Sequence, residues 1–416
     1  MEIHHDIIVV GGGGAGLIAA WRAATRGTRV LLMERNQRPG AKILISGGGR
    51  CNITHSGTIG EVLGAFRERE ARFLKPSIFR FSNDDMIRLV ESRGIATTTR
   101  ENGRIFPATG SAKDVLAALT TLLCESGVEL RLGVRVKGIA HEKGRILGVR
   151  LDTGIVEATR VVVATGGISY PKTGTTGDGY PWAVDAGHTL VPLLPALAPM
   201  AVKPSLPAAW RGVALRQGEL VAVADGNMLA RWKGDVLFSH EGITGPAALE
   251  VSNAAAAALG KSRVGLRYDF FPAFDLPALE AELLSYVNAH RGKTLLNIME
   301  GLLPNRIVPA LLDAAGVDPA TRGYVLTRER RHTLVRILKG WELGQVVDVP
   351  IERGEVTAGG ISLDEVDPQT MKSRKIDGLF FAGEILDVAG RVGGYNLQAA
   401  FSTGFVAGES AATNVA

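Results

Sequence analysis

Cysteine is almost missing from this chain. Cys51 and Cys124 are the only two, far apart and in no CxxC pair. That argues against a disulfide scaffold, a zinc cluster and a dithiol redox couple, and it suits a reducing, cytoplasmic setting. Long hydrophobic runs are missing too. The most apolar stretch, Ile7 to Ala20, is broken by glycines and is too short to cross a bilayer. The first residues show no basic segment, apolar core and cleavage site in that order. The expectation is a cytoplasmic protein with no membrane partner. No internal repeat is present, and glycine follows no fixed period, which excludes a collagen-like chain.

What the chain has in excess is glycine: 52 of 416 residues, against an average near 7%. The glycines fall in short runs, as expected for tight backbone turns around a ligand. With 46% hydrophobic and 21% charged residues, the chain holds enough apolar material for two or three domains. The net charge of +5 is a weak pointer to a nucleic-acid partner. Two basic groups stand out: Arg67, Arg69, Arg72, Lys75 and Arg80, then Arg328, Arg330, Arg331, His332, Arg336 and Lys339. The plain reading of each is a solvated face of a helix or strand.

Residues 6–10, DIIVV, read as a buried parallel strand. A helical pattern from Ala15 to Arg26 and a second strand at 28–33 complete a strand–helix–strand unit. Helices are expected at 83–93, with Asn/Asp capping residues, and at 111–126, with a capping-box-like Ser111 and Asp114. Strands are expected at 128–137, 146–152 and 155–164. Pro192, Pro195, Pro199, Pro204 and Pro207 mark a domain connection. Beyond it, 211–251 reads as short strands, 276–316 as helices, and 345–358 as strand again.

The turn Gly11-Gly12-Gly13-Gly14-Ala15-Gly16 matches GxGxxG, with Gly11, Gly13 and Gly16 at the key places. The first glycine turns the chain, the second admits a pyrophosphate, and the third lets helix pack on strand. The helix N–H groups then face the phosphates. Glu34 follows at the end of the next strand, where an acidic residue takes ribose hydroxyls. This site binds a dinucleotide. The strand 161–167, VVVATGG, with Thr165 and Gly166, and the late LFFAGE at 379–384, with Gly383, Glu384 and then Asp387, form the pattern of a split FAD domain. The late acidic residue would reach the ribityl or pyrophosphate region, and a helix opening at Gly393-Gly394 would aim its positive end at the flavin. No second GxGxxG exists, so a dedicated nicotinamide domain is not expected.

The run from Lys42 to Asn52, KILISGGGRCN, exposes backbone N–H groups to which a flat ring could come close. Arg50 adds fixed charge, Cys51 a weak acid, and Asn52 donors and acceptors. A flexible loop is the alternative reading.

PGAKILISGGGRCNIT, ENGRIFPAT, ATGGISYPKTGTTGDGY, FSHEGITGPAALEVS, VTAGGISLDEVDPQTMKSRKIDGLFFAGEILD and GGYNLQAAFSTGFVAG occur in order along nearly the whole chain. In these segments it resembles the BaiN/RdsA family of NAD(P)/FAD-dependent oxidoreductases. The resemblance implies a Rossmann-like α/β fold of the two-dinucleotide-binding-domain type. Its FAD domain would be discontinuous, 1–190 and 350–416, interrupted by a β-barrel-like insert at 191–260 and 326–349 and a helical subdomain at 261–325. It places Gly11, Gly13, Gly14, Ala15, Gly16, Glu34 and Arg35 on the ADP half of FAD, with Val136 reaching adenine through its backbone. Lys42, Gly48, Gly49, Arg50, Cys51 and Asn52 would lie nearer the flavin, and Thr165, Gly166, Gly383, Glu384, Asp387, Gly394, Asn396 and Leu397 would close the site.

The reaction implied is reduction of an activated C=C bond by flavin hydride, with NADH or NADPH as reductant. Uridine in large-subunit ribosomal RNA is the preferred substrate, and the basic insert would then hold phosphates. A small-molecule reductase or oxidase acting on a steroid or bile-acid enone or an amine is the alternative. A flavin-containing RNA-binding assembly factor without turnover is a third. For the proton donor, Cys51 comes first, because a thiol beside Arg50 can have a lowered pKa. His240 and Tyr170 follow. Cys124, in an apolar helix, is expected in the core.

Overall fold

A computed structural model describes residues 5–413. The chain forms two compact units, one of residues 1–193 and 355–416, the other of 194–354. In the first, β1 (His5–Val10), α1 (Gly14–Ala24) and β2 (Val30–Glu34) follow the order read from the sequence. β1 pairs in parallel with β2 and with the strand Gly154–Val163, so it is central. Ile7, Ile8 and Val9 are wholly buried, which is why that strand is a continuous apolar run. Glu129–Leu132 extends the sheet beyond β2. On the far side, Gly138–Glu142, Arg145–Leu151 and the first half of Gly154–Val163 form an antiparallel meander. The late strand Leu379–Phe381 returns to pair in parallel with Val161, Val162 and Val163.

The C-terminal helix, Tyr395–Ala412, lies on α1 at backbone contact. A Cβ on Gly404 would stand 2.3 Å from the Ala15 carbonyl oxygen, and one on Gly408 2.2 Å from that of Ala19. Those two glycines, one helical turn apart, let the last helix settle against the first.

Several local expectations change. The cap of helix Asn83–Glu91 is Ser82, whose hydroxyl accepts from the Asp85 N–H in a full capping box. Ser111 does cap its helix, but through the Lys113 N–H, without the reciprocal bond from Asp114. The strand expected at 128–137 stops at Leu132, because Gly133 turns the chain at φ 71°. Cys124 is exposed: Leu119, Leu122 and Leu123 carry the buried face of its helix.

In the second unit, the strands Ala201–Lys203, Trp341–Asp348, Val264–Asp269, Glu219–Ala224 and Asn227–Lys233 form an open five-stranded antiparallel sheet. A separate three-stranded sheet holds Ala214–Leu215, Val236–Phe238 and Ile243–Thr244. The strand reading of 211–251 fails from Pro246 onward, where Pro246–Ala258 is a helix opened by Gly245 and a first-turn proline. The helices Leu276–Ala289, Leu295–Glu300 and Val308–Ala314 make the helical part. The expected limits at 261 and 326 do not coincide with changes of structure, since Val264–Asp269 is a sheet strand and Arg328–Lys339 is a helix. Among the described residues, no helix is long and apolar enough to cross a membrane.

Candidate functional site

The turn after β1 is shaped by what its glycines exclude. A Cβ on Gly11, at φ 105°, would meet the Ala164 carbonyl oxygen at 2.5 Å, and one on Gly16 would meet the Gly11 oxygen at 1.8 Å. Gly13 differs: nothing lies within 4 Å of its would-be Cβ. The first and last glycines are therefore consumed by packing, and the middle one keeps space open at the start of α1, where a pyrophosphate fits. Gly14 lies against Phe401 and Leu397 of the C-terminal helix. Ala15 is buried, and Gly383 approaches it so closely that a Cβ there would sit 2.8 Å from the Ala15 methyl.

Glu34 is buried at the end of β2. Its carboxylate accepts from the Gly12 N–H at 2.7 Å and the Asn36 N–H at 2.8 Å. It thus ties the glycine turn down while keeping spare lone pairs for ribose hydroxyls. Val134 donates its N–H to the Glu34 carbonyl, which brings buried Val136 to the same end of the sheet. Arg35 donates to Thr176 at 2.5 Å and to Asp178 at 3.2 Å.

The glycine run is not a simple helix. The helix from Ala41 breaks at Ser46, and Gly47, Gly48 and Gly49 all take positive φ. Cys51 also has positive φ, 57°, a costly conformation for a residue with a Cβ. Gly48 faces open space on its Cβ side, as Gly13 does. Asn52 is buried with an Oδ1 that lacks a hydrogen-bond partner, and the Thr165 hydroxyl is in the same state. Orphaned buried polar atoms are rare in folded proteins and mark places where something else binds. Open space beside Gly13 and Gly48, with unsatisfied Thr165 and Asn52, fits FAD.

Lys42, Ser169, Thr357 and Glu384 form one network. The Lys42 ammonium donates to Ser169 Oγ at 2.8 Å and to Glu384 Oε2 at 2.6 Å. Glu384 Oε1 accepts from the Ser169 hydroxyl and from the Thr357 N–H, each at 2.9 Å. The Thr357 hydroxyl oxygen in turn accepts from the N–H groups of Ile168 and Ser169. Both Glu384 carboxylate oxygens accept hydrogen bonds, and Glu384 anchors Lys42 across segments far apart in the chain. The buried Asp387 is the freer late carboxylate, with the Arg67 guanidinium at 3.9 Å. Gly394 closes on Thr54, where a Cβ would meet the carbonyl oxygen at 2.6 Å. Asn396 spends its side chain on the Gly390–Arg391 turn, and Leu397 follows it, half-buried. Gly166, at φ 74°, turns the chain after Thr165.

The proton-donor candidates fare differently. Cys51 is wholly buried and burial pushes its thiol up to about 11, opposite to the expected lowering. The Arg50 guanidinium turns away, bonding the Gly47 carbonyl and lying over the Phe106 ring. His240, in the second unit, is exposed and pairs with Glu241 at 3.2 Å. Tyr170 is part-exposed at φ 52°, its hydroxyl pKa raised by burial and by the charge of Glu355. Ser169, Thr357 and Glu355 were missed, although ATGGISYP and GEVTAGG contain them; nothing in the sequence showed that the two segments meet.

Comparison with known proteins agrees with this geometry. Residues 5–410 match the family model described as HI0933-like protein Rossmann domain. The chain is 32% identical to the ribosomal RNA dihydrouridine synthase of Escherichia coli (strain K12), with 96% of each chain covered. It is 31% identical to the 3-dehydro-bile acid delta(4,6)-reductase of Clostridium scindens, covering 97% of this chain and 98% of that one. Among solved structures, the 3-ketosteroid delta1-dehydrogenase of Sterolibacterium denitrificans aligns over 98% of this chain and 99% of its own, with TM-score 0.55 and 15% identity, a likeness of fold alone. With the open cradle at both glycine turns and the relatives' full-length match, the chain belongs to the HI0933-like Rossmann family and is an FAD-dependent oxidoreductase, with NAD(P)H the expected electron donor.

Proposed function

We propose that this enzyme reduces the activated C=C bond of a uridine in large-subunit ribosomal RNA. The observation that supports the RNA reading is a pair of exposed guanidinium groups beside the glycine run. Arg50 and Arg100 lie 5.6 and 4.6 Å from the centroid of the Phe106 ring, and neither makes an ion pair among the described residues. Cations left without carboxylate partners suit a phosphate backbone. The helix Arg328–Lys339 in the second unit is a further candidate surface: Arg328, Arg330 and Arg336 are exposed there, while Arg331 and His332 share Glu280 and Lys339 pairs with Asp269. The group at 67–80 contributes less. Arg67, Arg69, Arg72 and Arg80 are paired with Glu70, Asp364, Glu68 and Glu409.

FAD, when bound and reduced, supplies a hydride equivalent to one carbon of the double bond. The chain's own work is to hold the dinucleotide by the glycine turn and Glu34, to fix Lys42 through Glu384 and Ser169, and to present the substrate. Mass spectrometry of ribosomal RNA nucleosides from cells with and without the gene tests the reading. Loss of a dihydrouridine in the deletion supports it, and an unchanged profile contradicts it.

A second reading has its own support: the bile-acid reductase relative matches as much of the chain, at nearly the same identity. On that reading the substrate is a small conjugated ketone, turnover needs no RNA, and added salt leaves it unchanged. A cytoplasmic location accompanies the first reading.

A further inference from the structure

One histidine is sealed inside the first unit and has no part in the chemistry above. The His188 side chain is wholly buried, edge-on to the Phe381 ring with centroids 4.9 Å apart. Its Nε2 lies 2.8 Å from Ser373 Oγ, in a buried contact. The same Oγ accepts the N–H groups of Lys375 at 3.0 Å and Ile376 at 2.9 Å. A hydroxyl has two acceptor lone pairs and one hydrogen. With both lone pairs taken by the turn, Ser373 gives its hydrogen to His188. Nε2 is then the bare nitrogen of a neutral ring, and the ring hydrogen sits on Nδ1. That Nδ1 makes no hydrogen bond among the described residues and lies 3.5 Å from Glu365 Oε2. The Glu365 carboxylate is already held by the Thr189 N–H at 2.7 Å, the Thr189 hydroxyl at 2.9 Å and the Lys375 ammonium at 2.7 Å.

Protonating the ring sets an N–H against the Ser373 O–H. Relief requires the hydroxyl to turn away and surrender the N–H of Lys375 or Ile376. The segment so loosened lines the strand Leu379–Phe381: the Ser373 N–H bonds the Leu379 carbonyl, and the Phe381 N–H bonds the Met371 carbonyl. Gly383, packed on Ala15, and Glu384, which anchors Lys42, come directly after that strand. We infer that His188 is a pH-sensitive latch: neutral, it closes the Ser373–Ile376 turn on the strand leading to Gly383 and Glu384, and protonated, it opens that turn and loosens the cradle for FAD. The latch concerns the cofactor and is indifferent to which acceptor is reduced. Glu365 and Lys375 are the charged groups that face the ring. Burial lowers the pKa of His188, Glu365 opposes that, and Lys375 adds to it. Once the turn opens, the ring titrates near the ordinary histidine value of about 6.5. The latch therefore stabilises fully above that value, and its contribution is lost as pH falls from there through the lowered value of the closed form.

The test follows wild type and His188→Gln from about pH 7.5 down to about pH 5, by nitrogen NMR of the histidine rings, hydrogen exchange over residues 371–381, and FAD titration. Expected is a neutral His188 ring with its hydrogen on Nδ1. In wild type the opening constant of that segment rises by up to about tenfold per pH unit below about 6.5, and FAD affinity falls in the same window. Glutamine offers Ser373 an acceptor oxygen and takes up no proton. In His188→Gln both slopes therefore flatten, while FAD affinity at neutral pH stays within about threefold of wild type. A ring hydrogen on Nε2, or a ring charged at neutral pH, overturns the inference. So does exchange or FAD affinity that varies with pH in His188→Gln as it does in wild type. The ring hydrogen is read in the wild-type protein, so that result decides even where the variant does not fold.

Discussion

At Cys51 the neighbours in sequence are misleading guides to chemistry. Arg50 precedes it, yet the guanidinium bonds the Gly47 carbonyl and lies over Phe106, so its charge does not serve the thiol. Burial dominates instead and holds the proton on sulfur. Cys51→Ala is therefore expected to keep turnover within about threefold, and native protein should resist thiol reagents at Cys51 while exposed Cys124 reacts. The raised pKa also sets a sign for stability. The unfolded thiol ionises near its ordinary value of about 9, the folded one only at about 11, so its contribution is complete below 9 and is lost as pH rises through 11. Denaturant melts across that window should show a steeper alkaline loss in wild type than in Cys51→Ala. Lys42 makes the opposite case, a charge that the fold does use. Lys42→Met leaves the half-buried Glu384 carboxylate without its cation; a loss of about 2 kcal/mol in stability and at least tenfold weaker FAD binding are expected, read by chemical unfolding and FAD titration. For Lys42 the family resemblance gave only a place near the flavin, not its tie to Glu384 and Ser169. The role of Glu384 was not legible, because its partners Ser169 and Thr357 come from distant segments and only the folded sheet brings them together.

Among the elements, β1, α1 and β2 were legible because three signals coincide there: a buried apolar run, a glycine turn and a helix pattern. The caps were less so. Ser82 competes with Asn83 and Asp84 for the same role, and only backbone geometry selects it. The strand reading of 211–251 passed over Pro246, although proline is favoured in a first helical turn. The contact between α1 and the C-terminal helix is the element-level feature most open to test. Gly408→Ala would drive a methyl to within 2.2 Å of the Ala19 carbonyl oxygen, backbone that cannot yield easily. A cost of about 3 kcal/mol or more is expected from thermal unfolding, together with loss of bound FAD. Gly60→Ala is the control: it lies in a helix with negative φ and only Thr58 Oγ1 near, at 3.8 Å, so its effect should stay within about 0.5 kcal/mol.

For the whole molecule, the net charge of +5 says less than the distribution of unpaired cations. Most of the basic group at 67–80 is neutralised, Arg67 and Arg72 by nearby Glu70 and Glu68 and Arg69 and Arg80 by the distant Asp364 and Glu409, which composition cannot show. Arg50 and Arg100 form no ion pair among the described residues. If the substrate is RNA, the logarithm of affinity falls linearly with the logarithm of salt, and replacing both arginines by alanine reduces that slope by about 2. Fluorescence anisotropy with a ribosomal RNA fragment reads this; a slope unchanged by the substitutions would favour the small-molecule reading.

The two ends of the chain meet in one sheet: Leu379–Phe381 lies beside Val161–Val163, and the last helix lies on the first. FAD titration into wild type, Gly13→Asp and Gly383→Val, followed by flavin absorbance, asks whether one cofactor depends on both. The Gly13 change points into open space and the Gly383 change toward Ala15. Stoichiometric FAD in wild type, with binding lost in each variant while Gly13→Asp stays folded by circular dichroism, is the predicted result. A wild-type protein that takes up no FAD, or full binding in either variant, would contradict it.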